Sequence, residues 1–271
     1  MMFWEDAAAY DLATGSFRDD LAFWLWLLER DQPRCVLELG AGTGRITLAL
    51  AARGRELRPD FTIVGLDLSQ PFLQRAEEKL AASPLSGSSA VRFLHGDMRN
   101  FACLEPDGPF DLIICGFNNL AYLHELDDQI ACLDCARRHL APGGRFAIDV
   151  FTPMLPVLAE ARTAVFPLMR KELDWTDPAP GVQRFLSFYT TNRYDTATQT
   201  EYATHIWEIF YADGRRVSRV QDLAWHHFFP RELRLLLRQT SLVPVEEYGD
   251  YDRTPFSDGA PHYVWIMTAE R

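Results

Sequence analysis

Cys35-Val36-Leu37-Glu38-Leu39-Gly40-Ala41-Gly42-Thr43-Gly44-Arg45-Ile46-Thr47-Leu48-Ala49-Leu50-Ala51-Ala52 is the stretch whose reading decides the fold. Its apolar start, Cys35 to Leu37, reads as a strand buried on both faces. The run breaks at three glycines and resumes at helical spacing from Ile46 to Ala52, closed by Gly54. A strand, a glycine turn and a helix N-terminus together suit a ligand with polar or anionic groups. Glycine permits the tight turn and a close backbone approach, and the first N–H groups of a helix have no partner within it. A dinucleotide fingerprint wants Gly or Ala at the sixth position of G-x-G-x-x-G. Here that position is Arg45, and the third glycine is Gly44. Glu38, two residues before Gly40, stands where a carboxylate faces a ligand on the turn. A glycine turn also serves packing alone, so the rest of the chain must decide between the two.

Outward from this stretch the pattern repeats. Upstream, Leu21, Trp24, Leu25 and Leu28 mark a helix over 18–30, with Asp19 and Asp20 suited to its N-terminus. Downstream, Phe61–Leu66 is the second strand, ending in Asp67; Ser69 is a good N-cap and Pro71 fits the first turn of the next helix. An acid at the carboxyl tip of the second strand is placed to grip the two hydroxyls of a ribose. Asp67 follows Gly44 by 23 residues, near the ~20 expected for that role. After a polar loop, Ser83 to Ala90, the third strand is Val91–His95. Gly96-Asp97-Met98 follows it, with Asp97 placed to accept from an adenine amino group and Met98 to pack on the ring. Phe110–Cys115 is the fourth strand and leads into Gly116-Phe117-Asn118-Asn119. A helix to about Leu140, a turn at Ala141-Pro142-Gly143-Gly144 and a fifth strand, Arg145–Val150, complete the series. Strands alternating with helices predict a Rossmann-like, doubly wound α/β sheet, whose ligands bind outside the carboxyl ends of the strands. Glu38 to Gly44, Asp67, Asp97 and Gly116 to Asn118 all fall at those ends.

Beyond Pro153 the rhythm changes. A short helix near Leu155–Ala161 and a Pro-containing segment, Asp174–Gly181, precede three strand-like runs over 182–194, 198–211 and 215–226. Their connections, Asp195-Thr196-Ala197 and Ala212-Asp213-Gly214, have hairpin chemistry. This reads as an inserted antiparallel β-sheet over 166–226, aromatic on both faces (Phe185, Phe188, Tyr189, Trp207, Phe210, Tyr211), serving as a lid, acceptor or dimer element. Residues 1–165 and 227–271 form the core domain, completed by a helix over 230–239 and strands at 243–248 and 263–268 around a polar loop.

The chain has 271 residues and a formal net charge of −11, against a general nucleic-acid backbone binder. Its five cysteines are an odd number without scaffold spacing, which suits a reducing cytoplasm. The longest apolar run near the acidic N-terminus, Leu21 to Leu28, is far short of the ~20 residues that span a bilayer. The expected partners are therefore a small molecule and possible second copy in a homodimer, with no nucleic acid and no membrane. Cys132-x-x-Cys135 lies in a helical pattern with no second pair, so no structural metal is expected. His226 and His227 follow the last inserted strand with side chains on opposite faces, and one of them is placed to line an acceptor pocket.

Taken together, these motifs resemble a class I S-adenosylmethionine-dependent methyltransferase of the small-molecule kind, similar to glycine and aminosugar N-methyltransferases. Leu37–Gly44 resembles its first motif, Leu66–Ser69 its second, Gly96–Met98 its third, and Leu140–Phe146 the turn before strand five. Tyr10-Asp11-Leu12 resembles a Tyr-Asp element of that family that closes over the cofactor. The resemblance implies a seven-stranded sheet in the order 3-2-1-4-5-7-6 with strand seven antiparallel. It implies S-adenosyl-L-methionine as cofactor, held by Tyr10, Glu38, Leu39, Gly40, Ala41, Gly42, Thr43, Gly44, Asp67, Leu68, Gly96, Asp97, Met98, Gly116 and Phe117. On the acceptor side it implies Tyr122, Tyr10 and Asn118 as catalytic residues. Strand four ends in Gly-Phe-Asn-Asn, where enzymes that methylate nucleobase or glutamine amino groups carry Asp/Asn-Pro-Pro-Tyr. The expected reaction is methyl transfer to N, O or C of a small molecule. The rival readings are an NAD-binding oxidoreductase and a non-catalytic domain that keeps the cofactor pocket.

Overall fold

The computed structural model describes residues 7–14, 17–102, 108–163, 170–176 and 184–270, with 8–9, 12–13, 163, 170–176 and 184–188 as backbone. Two helices lead in, α1 (Ala7–Thr14) and α2 (Asp19–Asp31), and then strands and helices alternate. The order is β1 (Cys35–Leu39), α3 (Arg45–Leu57), β2 (Thr62–Asp67), α4 (Gln70–Ala81), β3 (Val91–His95), β4 (Phe110–Cys115), α5 (Leu126–His139) and β5 (Leu140–Phe151). Every residue of β1 is buried, as a central strand with helices on both faces requires. The Ser69 hydroxyl caps α4 by accepting from the Phe72 N–H at 3.3 Å, with Pro71 in the first turn. On one face of the sheet Phe23, Trp24, Leu27, Ile46 and Leu50 pack on Val36, Ile63, Leu112 and Ile114. Burying such side chains is worth roughly 1.5–3 kcal/mol each.

The chain then makes α6 (Leu155–Thr163) and four antiparallel strands in sequential order: β6 (Arg170–Thr176), β7 (Arg184–Asp195), β8 (Thr200–Tyr211) and β9 (Arg216–His226). It returns through α7 (Pro230–Gln239), β10 (Leu242–Tyr248) and β11 (His262–Ala269). The main sheet has seven strands, ordered β10-β11-β5-β4-β1-β2-β3. Counting core strands alone, this is 3-2-1-4-5-7-6. The first five are parallel, and β11 runs antiparallel to both β5 and β10. Sheet order and reversed strand are those the resemblance implied.

Some details differ from the sequence reading. Helix α1 forms where no periodicity marked one. Strand β5 starts at Leu140, because Phe110 pairs with Leu140 and Leu112 with Arg145, so the presumed turn is an irregularity inside the strand. Strand β6 takes up part of the Asp174–Gly181 segment, whose remainder, 177–181, lies outside the described residues.

Residues Pro153–His227 form one compact unit, and the chain on either side forms another. The sequence-derived boundary at 165/166 lies outside the described residues, as do the side chains of Phe185 and Phe188. Within the inserted unit, His227 meets the buried Glu201 carboxylate at 2.7 Å, and the Trp225 indole N–H donates to the same oxygen at 3.1 Å. His226 Nδ1 meets the Thr198 carbonyl at 3.1 Å. Cys132 and Cys135 are buried in α5. Among the described residues no group of three His, Cys, Asp or Glu is placed to hold a metal ion. No helix among them is long and apolar enough to cross a membrane.

Candidate active site

The glycine turn after β1 is shaped by backbone that side chains resist: Gly40, Gly42 and Gly44 have φ of 73°, 57° and 79°. The N–H groups of Gly40 and Ala41 both donate to the Leu66 carbonyl, at 2.8 and 2.9 Å, hanging the turn on the end of β2. A Cβ at Gly40 would lie 2.4 Å from the Asn119 side chain. The Asn119 amide fills that space and donates to the carbonyls of Gly40 and Gly116, at 2.9 and 2.7 Å. One glycine of the motif thus admits a protein side chain. Gly42 is roomier: a Cβ there would make ordinary contact with the Phe72 ring and the Tyr10 hydroxyl, each at 3.8 Å, so these two rings bound the space above it. Leu39 and Ala41 are buried beneath the turn.

Acidic groups frame that space. The Asp67 carboxylate accepts the Gly42 N–H on one oxygen and the Ser69 N–H on the other, each at 2.7 Å. Burial raises its pKa, against those backbone donors. A carboxylate has about four lone-pair sites, so acceptor capacity remains for a ligand hydroxyl. Glu38 is buried and receives the Thr47 hydroxyl from α3. Burial is the main force on its carboxyl and pushes the pKa up to about 8, despite the Thr47 bond and nearby Arg45. Arg45 is held by Asp20 through two hydrogen bonds of 2.8 and 2.5 Å, with Asp20 fully buried. Asp20 lies in the first turn of α2, as the sequence suggested, and in addition holds Arg45 at the start of α3. The guanidinium also lies 5.0 Å from the centre of the Phe117 ring.

Helix α1 lies across the same turn. The Tyr10 ring packs on Phe72 at 4.8 Å, and burial raises its hydroxyl above the ordinary range. Asp11 accepts the Thr43 hydroxyl at 2.6 Å and pairs with Arg75 at 3.0 Å and with Lys79. Lys79 also donates to the Thr43 hydroxyl, so Thr43, from the turn itself, joins α1 to α4.

At the end of β4, Gly116 stands where a Cβ would meet the Trp24 indole at 3.3 Å. Phe117 and Asn118 follow with φ of 54° and 59°. Two successive left-handed non-glycine residues cost of order 1–3 kcal/mol each and persist only where their surroundings hold them. The Asn118 N–H donates to Asp149 at 2.7 Å, and the Asn118 side-chain oxygen accepts the Phe151 N–H at 3.1 Å. Tyr122 ends the following 3₁₀ turn, Asn119–Tyr122, and burial pushes its hydroxyl up to about 12. The charges of Arg45 and Tyr122 both act on the ionisation of the Tyr10 hydroxyl, Arg45 lowering and Tyr122 raising its pKa.

After β3 the arrangement is less open. Three Arg99 contacts of 2.6–3.0 Å and the Arg99 N–H take up the Asp97 carboxylate and hold its pKa below the usual range. Arg99 also reaches Asp128 at 2.8 Å. Met98 is half-buried, Leu68 is exposed, and Gly96 makes room for Leu66. Tyr10, Glu38, Gly42, Asp67, Phe117 and Tyr122 are thus brought together, while Asp97 faces a protein partner. Asp20, Asp149 and Tyr251 belong to the site's frame and were missed. The one available signal was Arg45, whose charge within a buried turn demanded an acid.

The chemistry of this donor set fits a nucleoside-bearing cation. An acid with acceptor capacity lies at the tip of β2, a space over Gly42 is bounded by the Tyr10 and Phe72 rings, and Glu38 adds a further carboxyl. A methyltransferase domain matches residues 36–144. The chain is 30% identical over 169 residues to the cypemycin N-terminal methyltransferase of a Streptomyces species, across 61% of this chain and 63% of that one. It is 35% identical over 159 residues to the demethylmenaquinone methyltransferase of Thermus thermophilus, across 56% and 65%. These alignments span less than two thirds of either relative. Among solved structures, the CcbJ methyltransferase of Streptomyces caelestis superposes with a TM-score of 0.76 at 27% identity, covering 94% of this chain and 91% of its own. None of these likenesses supports the oxidoreductase reading. In sheet order, glycine turn and acid-tipped second strand, the chain is similar to these methyltransferases, and the methyltransferase domain it matches spans residues 36–144.

Proposed function

We propose that the protein transfers the methyl group of S-adenosylmethionine to a nitrogen, oxygen or carbon of a small-molecule acceptor. The observation that carries this reading is the convergence of the Gly42 cradle, Asp67, Glu38 and Tyr10 at the carboxyl ends of β1 and β2. The cofactor supplies a sulfonium-activated methyl, already electrophilic, so the protein's part is alignment and exclusion of water. In this reading Asp67 takes the ribose hydroxyls, and Glu38 with the Gly40–Gly44 turn takes the amino-acid end. Leu68, Met98 and Asp97 flank the adenine, with Asp97 shared with Arg99. Tyr10 covers the turn, and Gly116 and Phe117 border the reacting end. Asn118 and Tyr122 position the acceptor. With its hydroxyl at about 12, Tyr122 is a poor base at neutral pH and acts by orienting the nucleophile.

The two curated relatives are named for different acceptors, a cypemycin N-terminus and demethylmenaquinone, so the acceptor class rests on this chain's own features. A net charge of −11 favours a small molecule over a polyphosphate such as RNA. A cytoplasmic location agrees with the free thiols of Cys115, Cys132 and Cys135. The test is a thermal-shift comparison at saturating S-adenosylhomocysteine and NAD. Stabilisation by the first alone is expected, since a ligand that binds only the folded state raises its melting temperature. Stabilisation by NAD alone would end the reading. Labelled cofactor offered with pools of amines, phenols and keto acids then identifies the acceptor.

A further inference from the structure

The loop leaving β4 stays in a conformation its residues disfavour. Phe117 and Asn118 are both left-handed, where glycine would be relaxed, yet the chain keeps two side chains there. Something must hold them. The described hydrogen bonds lead to Asp149, a fully buried acid near the end of β5. One of its oxygens accepts the Asn118 N–H and the other accepts the Tyr251 hydroxyl, both at 2.7 Å. Both contacts are donors to the acid, so the carboxylate form is the one they serve. A buried carboxylate is costly unless it is so satisfied, and an apolar residue would fill the same space without that cost. Tyr251 comes from the polar stretch between β10 and β11, 102 residues further along the chain. It is itself buried, its ring tilted against His262 at 4.6 Å, and His262 meets Asp250 at 3.1 Å. From the other side the Tyr251 ring meets Phe17 at 6.1 Å, and Phe17 meets Phe117 at 5.8 Å.

We propose that Asp149 and Tyr251 form a clamp that holds Phe117 and Asn118 left-handed, which makes both of them positioning residues for the cofactor side of the site. The clamp gives the C-terminal Asp-Tyr-rich loop a role that its sequence did not reveal. It rests on the methyltransferase reading only where it says what the loop borders; the hold on the loop is independent of any ligand.

Four full-length variants test it: Tyr251→Phe, Asp149→Asn, Asn118→Gly and the double variant Asn118→Gly/Asp149→Asn. The ligand-free measurement is backbone hydrogen exchange. Tyr251→Phe is expected to speed exchange of the Asn118 amide at least ~10-fold and to leave the amides of β4 unchanged. The second measurement is calorimetric binding of S-adenosylhomocysteine. Tyr251→Phe and Asp149→Asn are each expected to weaken it about 10-fold, the loss of one hydrogen bond to a charged group. A glycine at 118 relaxes that position while Phe117 stays left-handed, so in that background Asp149→Asn is expected to cost only about 3-fold. Equal losses in both backgrounds, or wild-type exchange at Asn118 in Tyr251→Phe, would make Asp149 an ordinary core acid and overturn the proposal. Tyr251→Phe keeps the ring and carries the test should Asp149→Asn not fold. Absence of binding by the wild-type protein would remove the cofactor reading, and the exchange result would then decide the clamp by itself.

Discussion

Glu38 ties the site to pH. Its carboxyl holds a proton to about pH 8 in the folded chain, against 4.5 for the free group, chiefly because it is buried. The folded state therefore binds a proton that the unfolded chain has released, and stability falls as pH rises between these values. This contribution is complete below pH 4.5 and lost as pH passes through about 8. Melting temperatures of wild type and Glu38→Gln measured from pH 5 to 8 should converge or cross with rising pH; parallel curves would show that Glu38 titrates normally. Asp67 is the second decisive residue. Replacing it by Ala removes a charged acceptor and should weaken S-adenosylhomocysteine binding by ~30–150-fold, or roughly 2–3 kcal/mol. An unchanged affinity in a folded variant would take the ribose from Asp67. For Tyr122 the expectation is a split: Tyr122→Phe keeps cofactor affinity and lowers turnover of the identified acceptor at least ~10-fold. A matching loss of affinity would assign the ring to the cofactor.

Among the elements, α1 has the most conditional existence. An eight-residue helix is marginal in water, and this one stands through the Tyr10–Phe72 contact and the Asp11 contacts to Thr43, Arg75 and Lys79. Hydrogen bonds from Lys79, Thr43 and Arg75 outweigh burial and hold the Asp11 carboxyl below its ordinary range. Because these charges are part-exposed, salt should loosen them. Asp11→Asn is expected to weaken S-adenosylhomocysteine binding several-fold at low salt and to flatten its dependence on sodium chloride. Equal slopes for both proteins would detach α1 from the ligand. The elements also show where sequence reading stops. Strands β1 to β4 were legible because apolar runs between glycine, proline and polar loops are local signals, and so was the acid at the tip of β2. The frame of the site was not. Asp20 looks like any acid at a helix start, yet its partner is 25 residues away. Asp149 sits inside an apolar strand, with one partner 31 residues before it and another 102 after. Periodicity records which face a residue takes and carries nothing about which distant residue meets it. Gly40 was read correctly as a close-approach position, but what approaches is Asn119.

At the scale of the molecule, two compact units share one chain, and Glu38, Asp67, Asp149, Phe117 and Tyr122 all belong to the unit outside Pro153–His227. Separate cores can melt separately. Scanning calorimetry should therefore resolve two transitions, with S-adenosylhomocysteine raising only one of them by mass action. A single transition that moves as a whole would show the units to be thermodynamically one. The acidity of the molecule has a further effect. The whole chain carries −11. S-adenosylmethionine reaches such a surface with one positive charge more than the S-adenosylhomocysteine left after transfer. The field that draws the charged form in has far less hold on the spent one. If the proposed transfer is the chain's reaction, turnover switches off part of its own attraction, and inhibition by the by-product should be weakest at low ionic strength and strongest in brine.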